Sequence, residues 1–227
     1  MKLKKINTKN YSLLTLKLID FKTFLGLKKL AFYYLNFKYV KGFRNNFSIF
    51  ELYFTKIFLK KSLKIIYKYH NLNKKILFVG FNDIKNYTNF KFLLKQTKHF
   101  YYNLNFWIYS FLTTRNQVFQ HLKKKLLNYN KKNFSANYFI LQSLFHVQKT
   151  PDLIVFLDSS QISNAQKEIE SSNIPLILFC NNDFRINYPV YKIPGRFNVT
   201  VSKLFLFLLF KSVLTFSIYN GKKAFLL

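Results

Sequence analysis

The sequence predicts an α/β protein: a parallel sheet flanked by helices, with a helical hairpin inserted between sheet strands. Three observations carry that prediction. Residues 150–180, TPDLIVFLDSSQISNAQKEIESSNIPLILFC, read as strand, short helix and strand, within the length of one βαβ unit. The apolar runs at 153–157 and 174–180 are continuous rather than alternating, the mark of strands buried on both faces. KILFVG, residues 75–80, is a third run of the same kind, far upstream.

Taken in order, the chain divides into four parts. Residues 1–38 are an N-terminal extension, of which 11–34, apolar and broken by lysine pairs, predicts one or two short helices. Residues 39–115 form the first part of the α/β domain. YVKGFRNNFSIFEL (39–52) reads as two extended pieces around a turn at Arg44-Asn45-Asn46. Residues 51–69 predict a helix with Leu52, Ile57, Leu63, Ile66 and Tyr67 on one face. Lys56, Lys60, Lys61, Lys64 and Lys68 recur along the other, and with almost no acids to balance them they point to phosphate contact. A strand at 76–80, a helix at 82–98 and a strand at 100–102 follow.

Residues 116–149 are the inserted hairpin: helix 116–132 with Val118, Phe119, Leu122 and Leu126 as its stripe, then helix 134–149 with Tyr138, Leu141 and Phe145. Residues 150–227 complete the α/β domain. Pro151 and Asp152 stop the preceding helix, and Asp158-Ser159-Ser160 supply N-cap oxygens for the next. That helix turns Ile162, Ala165 and Ile169 inward and Gln166, Lys167, Glu168 and Glu170 towards water. Asn173 closes it. After Cys180 a loop leads to Tyr188-Pro189-Val190 and Ile193-Pro194-Gly195, and an apolar helix starts near Val199. Its run at 204–210 stops at Lys211, short of the ~20 apolar residues a bilayer needs. A helix packed on the sheet, without membrane insertion, is the expectation.

Lys and Arg number 37 against 8 acids, a formal net charge of +29. Residues 151–227 hold 8 basic and 5 acidic side chains, net +3; residues 1–150 therefore hold 29 and 3, net +26. Such a chain repels itself unless a polyanion neutralises it. Nucleic acid is the first candidate and an anionic membrane surface the second. The lysines are interleaved with 29 Phe and 16 Tyr, so the basic region also folds, unlike a disordered basic tail. Abundant Phe, Lys, Asn, Tyr and Ile suggest an AT-rich gene of organellar type. Cys180 is the only cysteine, which excludes an internal disulfide and argues against an oxidising compartment. The N-terminus resembles a transit peptide only loosely, being lysine-based without arginine. A chain made inside its organelle needs no address.

A parallel sheet invites a nucleotide site beyond the carboxyl ends of its strands, near Gly80, Asp158 or Cys180. The sequences there, GFNDIK and DSSQIS, lack the glycines that let backbone approach a pyrophosphate. Asp158 is explained as a helix cap. His70, His99, His121 and His146 are scattered, none with a second ligand three or four residues away. Cys180 has no base near it in sequence. The reading is therefore no enzyme and no cofactor, against the alternatives of a nucleotide-binding α/β enzyme and a basic membrane-associated protein.

Four motifs in order resemble the bacterial-type family of small-subunit ribosomal protein two. Tyr39, Gly42, Arg44, Asn45, Ile49 and Leu52 match its Y-I-x-G-x-R-N-G-x-x-I-I-x-L, with Asn46 in place of the last glycine. Lys75–Gly80 match without change. Phe100, Asn103, Trp107, Leu112 and Thr113 match F-x-V-N-x-R-W-L-G-G-x-L-T-N, although Tyr109 and Ser110 replace both glycines and one residue is inserted. Pro151–Asp158, Ala165, Glu168 and Asn173–Ile177 match the closing βαβ unit, and Tyr188-Pro189 with Ile193-Pro194-Gly195 the segment after it. The resemblance implies a flavodoxin/Rossmann-like sheet with a shortened hairpin, bound to small-subunit rRNA beside other small-subunit ribosomal proteins. The extent of departure from the pattern favours a mitochondrial version. Implied RNA contacts are Lys41 and Arg44 in the turn, Arg115 before the hairpin, and Lys123, Lys124, Lys125, Lys131 and Lys132 on it.

Overall fold

A computed structural model describes residues 12–28, 38–45, 47–80, 93–94, 97, 99–102, 107, 112–113, 117, 120, 150–157, 163–181, 190–197 and 199–219. The described strands form two sheets. The larger is parallel and joins β5 (Phe100–Tyr102), β4 (Ile76–Val79), β6 (Leu153–Phe156), β7 (Leu176–Cys180) and β8 (Val190–Pro194), in that spatial order. Numbered along this sheet alone the order is 2-1-3-4-5, the flavodoxin-like winding. The predicted α/β class holds.

Alternation along each strand sorts the core into two halves. Ile76, Phe78, Leu153, Val155, Ile177, Phe179 and Ile193 pack on one face with Leu18, Leu59, Ile66, Phe205 and Phe210. Leu77, Val79, Ile154, Phe156, Leu176, Leu178 and Cys180 pack on the other with Ala165, Ile169 and Leu112. The first face is covered by α1 (Leu13–Asp20), α2 (Leu52–Asn71) and α4 (Thr200–Tyr219). The second is covered by α3 (Ser163–Ser172) and by Trp107 and Leu112.

α2 differs from expectation in what it buries. Its innermost line is Thr55, Leu59, Ser62 and Ile66, with Leu52 and Leu63 beside it. The two hydroxyls escape an apolar-stripe reading because each finds a carbonyl: Thr55 Oγ1 donates to Pro194 O at 2.8 Å and Ser62 Oγ to Leu59 O at 2.7 Å. A buried hydroxyl with a partner loses little on desolvation. Left-handed residues terminate the helices: Lys22 follows α1, Asn73 follows α2 and Asn173 follows α3, with φ between 52° and 56°. α4 buries Ser202, Lys203, Phe205, Leu206, Leu209, Phe210 and Leu214 against the sheet side and exposes Val201, Leu204, Leu208 and Lys211. Among the described residues no helix is long and apolar enough to cross a membrane.

The second sheet is small and antiparallel, in the order β1 (Leu25–Lys28), β3 (Phe47–Phe50), β2 (Val40–Arg44). Residues 25–28, expected within a helix, are the strand β1, because backbone groups of β3 stand opposite and pair with them. Local apolar content cannot register a partner twenty residues away. The sheet docks beside β8, where Arg196 N donates to Thr23 O at 2.9 Å. Gly195 makes that approach possible. Its φ is +152°, and a Cβ there would lie 2.6 Å from the Phe197 ring and 3.3 Å from Thr23 O.

Two histidines distant in sequence meet at the foot of the large sheet. The Ile76 N–H donates to His99 Nδ1 at 3.3 Å, which leaves the His99 proton on Nε2, 2.6 Å from His70 Nδ1. The remaining N–H of His70 reaches the backbone of Leu214. Two neutral imidazoles thus link the start of β4 to α2 and α4, with both tautomers fixed by their backbone partners. Burial, then the neighbouring His70, holds His99 down at about 3, and burial lowers His70 against the effect of Leu214.

Gly195→Ala is expected to lower unfolding free energy by about 2 kcal/mol, through overpacking and a strained φ. Gly42→Ala, with nothing within 4 Å of its added Cβ, is expected to be neutral or mildly stabilising. Urea unfolding of both variants checks this, and equal midpoints would refute it. The histidine relay predicts a pH dependence of definite sign. Both histidines titrate lower in the fold, so the unfolded chain takes up protons first. Stability is full above the unfolded value of about 6.5 and falls below it, for His99 down to about 3, by up to ~1.4 kcal/mol per pH unit, with His70 adding in the same direction. Urea midpoints measured between pH 7.5 and 5 should fall in the wild type and fall less in His99→Asn.

Candidate nucleic-acid interface

The antiparallel hairpin is short, exposed and cationic at its tip. Asn45 turns the chain with φ 48°, a conformation that asparagine tolerates better than most residues. Arg44 pairs with Phe47 and Phe43 with Ser48, and then the register slips: Gly42 faces Ile49 but Val40 faces Phe50. Lys41 is therefore the extra residue of a β-bulge, a device that re-aims a side chain at a sheet edge. Lys41, Phe43, Arg44 and Phe47 are all exposed. Two cations and one aromatic ring on the edge strand β2, with the Phe47 ring beside them on β3, are the chemistry that meets phosphates and unpaired bases.

This hairpin is rigidly mounted. Phe50 N donates to Phe24 O at 2.8 Å and Glu51 N to Tyr39 O at 2.9 Å, so β3 runs straight into α2. Tyr39 stands edge-on to Phe54 and Phe58, each at 5.7 Å, and Phe58 edge-on to Tyr191 at 5.8 Å. The Lys38 ammonium lies 4.9 Å above the Tyr39 ring.

Of the sequence-predicted contact residues, Lys41 and Arg44 fall on one strand, three positions apart. Arg115, Lys123, Lys124, Lys125, Lys131 and Lys132 lie outside the described residues, as does nearly all of the 116–149 hairpin. So do the Asp158-Ser159-Ser160 cap and most of the 82–98 helix; Leu93 and Leu94 are helical and buried.

Glu168 corrects the sequence reading. Expected towards water, it is 7% exposed. One carboxylate oxygen accepts the Trp107 indole N–H at 3.0 Å, and the other accepts the backbone N–H groups of Leu112 and Thr113. Its helix thus presents Ala165, Glu168 and Ile169 inward together. Trp107 in turn stands edge-on to Tyr102 at 5.3 Å and tilted against Phe156 at 6.1 Å. Glu168 clamps the segment that leads into residues 116–149 onto the sheet face. The same groups pack on the face formed by β5, β4 and β6. The histidine pair is the other juxtaposition that sequence spacing hid, since 29 residues separate His70 from His99. Among the described residues no three His, Cys, Asp or Glu side chains converge on a metal position.

Trp107 is the only tryptophan, so its emission reports the clamp alone. Glu168→Ala leaves three N–H groups without their acceptor; a red-shifted emission and a loss of about 3 kcal/mol are expected. Lys167→Ala, exposed on the same helix, should change stability by less than about 0.5 kcal/mol. Unchanged emission in Glu168→Ala would refute the clamp.

No curated protein matches the chain. The sequence model for ribosomal protein S2, however, matches residues 18–214. Proteins of that family are structural components of the small ribosomal subunit, and not enzymes. The chain belongs to the ribosomal protein S2 family.

Proposed function

We propose that this protein is a structural constituent of the small subunit of a mitochondrial ribosome. It holds small-subunit rRNA against its basic surface and lies beside other small-subunit proteins, with no cofactor and no inserted membrane segment. The observation that carries the reading is the placement of charge: net +26 over residues 1–150 against +3 over residues 151–227. Lysine and arginine that neutralise phosphates release counterions, which makes binding strong at low salt and steeply salt-dependent. Lys41 and Arg44 on the exposed hairpin are two of the contacts. Arg115, Lys123, Lys124, Lys125, Lys131 and Lys132 extend the surface along the inserted segment. The organellar assignment is supported by the Phe-, Lys-, Asn-, Tyr- and Ile-rich composition and by the glycines of the family pattern that are replaced at Asn46, Tyr109 and Ser110.

Sedimentation of a mitochondrial lysate on density gradients at rising salt tests this directly. The chain should migrate with the small ribosomal subunit at low salt and leave it progressively as salt rises. Migration as a free small protein at low salt, where counterion release most favours RNA, would overturn the reading. Retention in the membrane pellet after high-salt extraction would favour a membrane-associated protein.

A further inference from the structure

The outward face of α2 is a second cationic surface, separate from the hairpin tip. Its 20 residues contain five lysines and no acid. The buried line at Thr55, Leu59, Ser62 and Ile66 fixes the helix's rotation. At 100° per residue the direction opposite to that line is occupied by the half-buried Ile57 and by Tyr53, Lys60, Lys61, Lys64 and Lys68. The last five are exposed, Tyr53 at 62%. Lys60, Lys64 and Lys68 recur at i, i+4, i+8, so their Cα atoms climb in steps of about 6 Å along one side of the helix. That step is close to the spacing of successive phosphates on a polynucleotide strand. Nothing within the helix favours the arrangement, because like charges four residues apart destabilise it by about 0.2–0.5 kcal/mol per pair.

We infer that this face is an RNA-backbone ladder, on which Lys60, Lys64 and Lys68 each neutralise a phosphate of one strand and Tyr53, at the N-terminal end, offers its ring to a base. The inference rests on the ribosomal reading above but names a surface that the hairpin contacts do not include. Three features fit this partner. The cations sit in register on a helix tied to β8 through Thr55 and to α4 through the core, so their backbone spacing is set before binding and only the side chains remain to be ordered. The line continues beyond Tyr53 into the aromatic cluster of Phe54, Phe58 and Tyr39, with the Lys38 ammonium over Tyr39. The ladder is also poor in the apolar side chains that a membrane-surface helix inserts: on the outward side only the half-buried Ile57 and the Tyr53 ring interrupt the lysines.

The test measures how binding of the full-length chain to a small-subunit rRNA transcript, and to a polyuridine oligomer, varies with salt. Lys60→Gln/Lys64→Gln/Lys68→Gln should lower the slope of log K against log salt by about 2–3 units on both RNAs, at about 0.7–0.9 for each phosphate left without its lysine. Tyr53→Ala should weaken polyuridine binding about tenfold, as removal of a stacking platform does, and leave the salt slope unchanged. These positions are exposed, so circular dichroism and melting should show an intact fold, with the triple variant no less stable than the parent. Lys41→Gln/Arg44→Gln serves as the control for the hairpin surface. A wild-type slope in the triple variant, with binding impaired in the hairpin variant, would overturn the ladder and leave the ribosomal reading standing. Failure of the parent chain to bind either RNA would overturn both. Tighter binding to phosphatidylserine-containing vesicles than to RNA, abolished in the triple variant, would reassign the face to a membrane.

Discussion

A parallel sheet that carries apolar side chains on both faces has to be covered twice, and the organisation of this protein follows from that requirement. Strands β4, β6 and β7 are buried along their full length, so neither face can be left to water. Among the described residues one face has α1, α2 and α4, with Leu93 and Leu94 beside them. The other has α3 with Trp107, Leu112 and Thr113, outside regular helix or strand, where backbone N–H groups need partners. Glu168 is the solution: a carboxylate lowered into the apolar layer so that the backbone at 112 and 113 and the Trp107 indole can be held there. Burying a lone carboxylate is costly, and three donors directed at its two oxygens offset that cost.

How much of this was legible in the sequence depends on the range of the interaction concerned. β4, β6 and β7 announced themselves because continuous apolar runs of four or five residues have few alternative uses. The β2–β3 turn did so because Arg44-Asn45-Asn46 interrupts two extended pieces. β1 did not, since Leu25-Gly26-Leu27-Lys28 gains its strand character only from β3. Glu168 was misread for a related reason. A helical glutamate between lysine and isoleucine is solvent-facing by default, and its real partners lie more than fifty residues earlier. Thr55 and Ser62 were passed over because hydroxyls break an apolar stripe, and His70 with His99 because neither has a metal-like spacing. For Glu168, Thr55 and Ser62 the common signal is a polar residue at a position that helical periodicity assigns to the core.

Charge and core are segregated along the chain in a way that suits a protein whose partner is far larger than itself. The nearly neutral final third supplies β6, β7, β8, α3 and α4, most of the packing that makes a stable sheet. The strongly cationic first two-thirds supplies the surfaces that face outward: the bulged edge strand with Lys41 and Arg44, and the lysine side of α2. Each such surface is tied directly to the sheet, the hairpin through Thr23 and Arg196 and α2 through Thr55 and Pro194.

The magnitudes explain why this division is tolerable. Like-charge pairs along α2 cost a few tenths of a kcal/mol each, and salt screens them further. Burial of Leu59 or Ile66, both inaccessible to solvent, contributes about 1.5–3 kcal/mol per side chain. One well-packed inner residue therefore outweighs the whole row of repulsions on the opposite side. The helix can hold its lysines in line without a partner, and a polyanion that meets them relieves a strain the core has already absorbed. A flexible lysine tail carries the same charge but has to be ordered at the moment of binding; a lysine face on a helix packed against a sheet has its backbone ordered beforehand. The abundance of aromatic and apolar residues among the lysines, the feature that first set this sequence apart from a disordered basic arm, is what makes that pre-ordering possible.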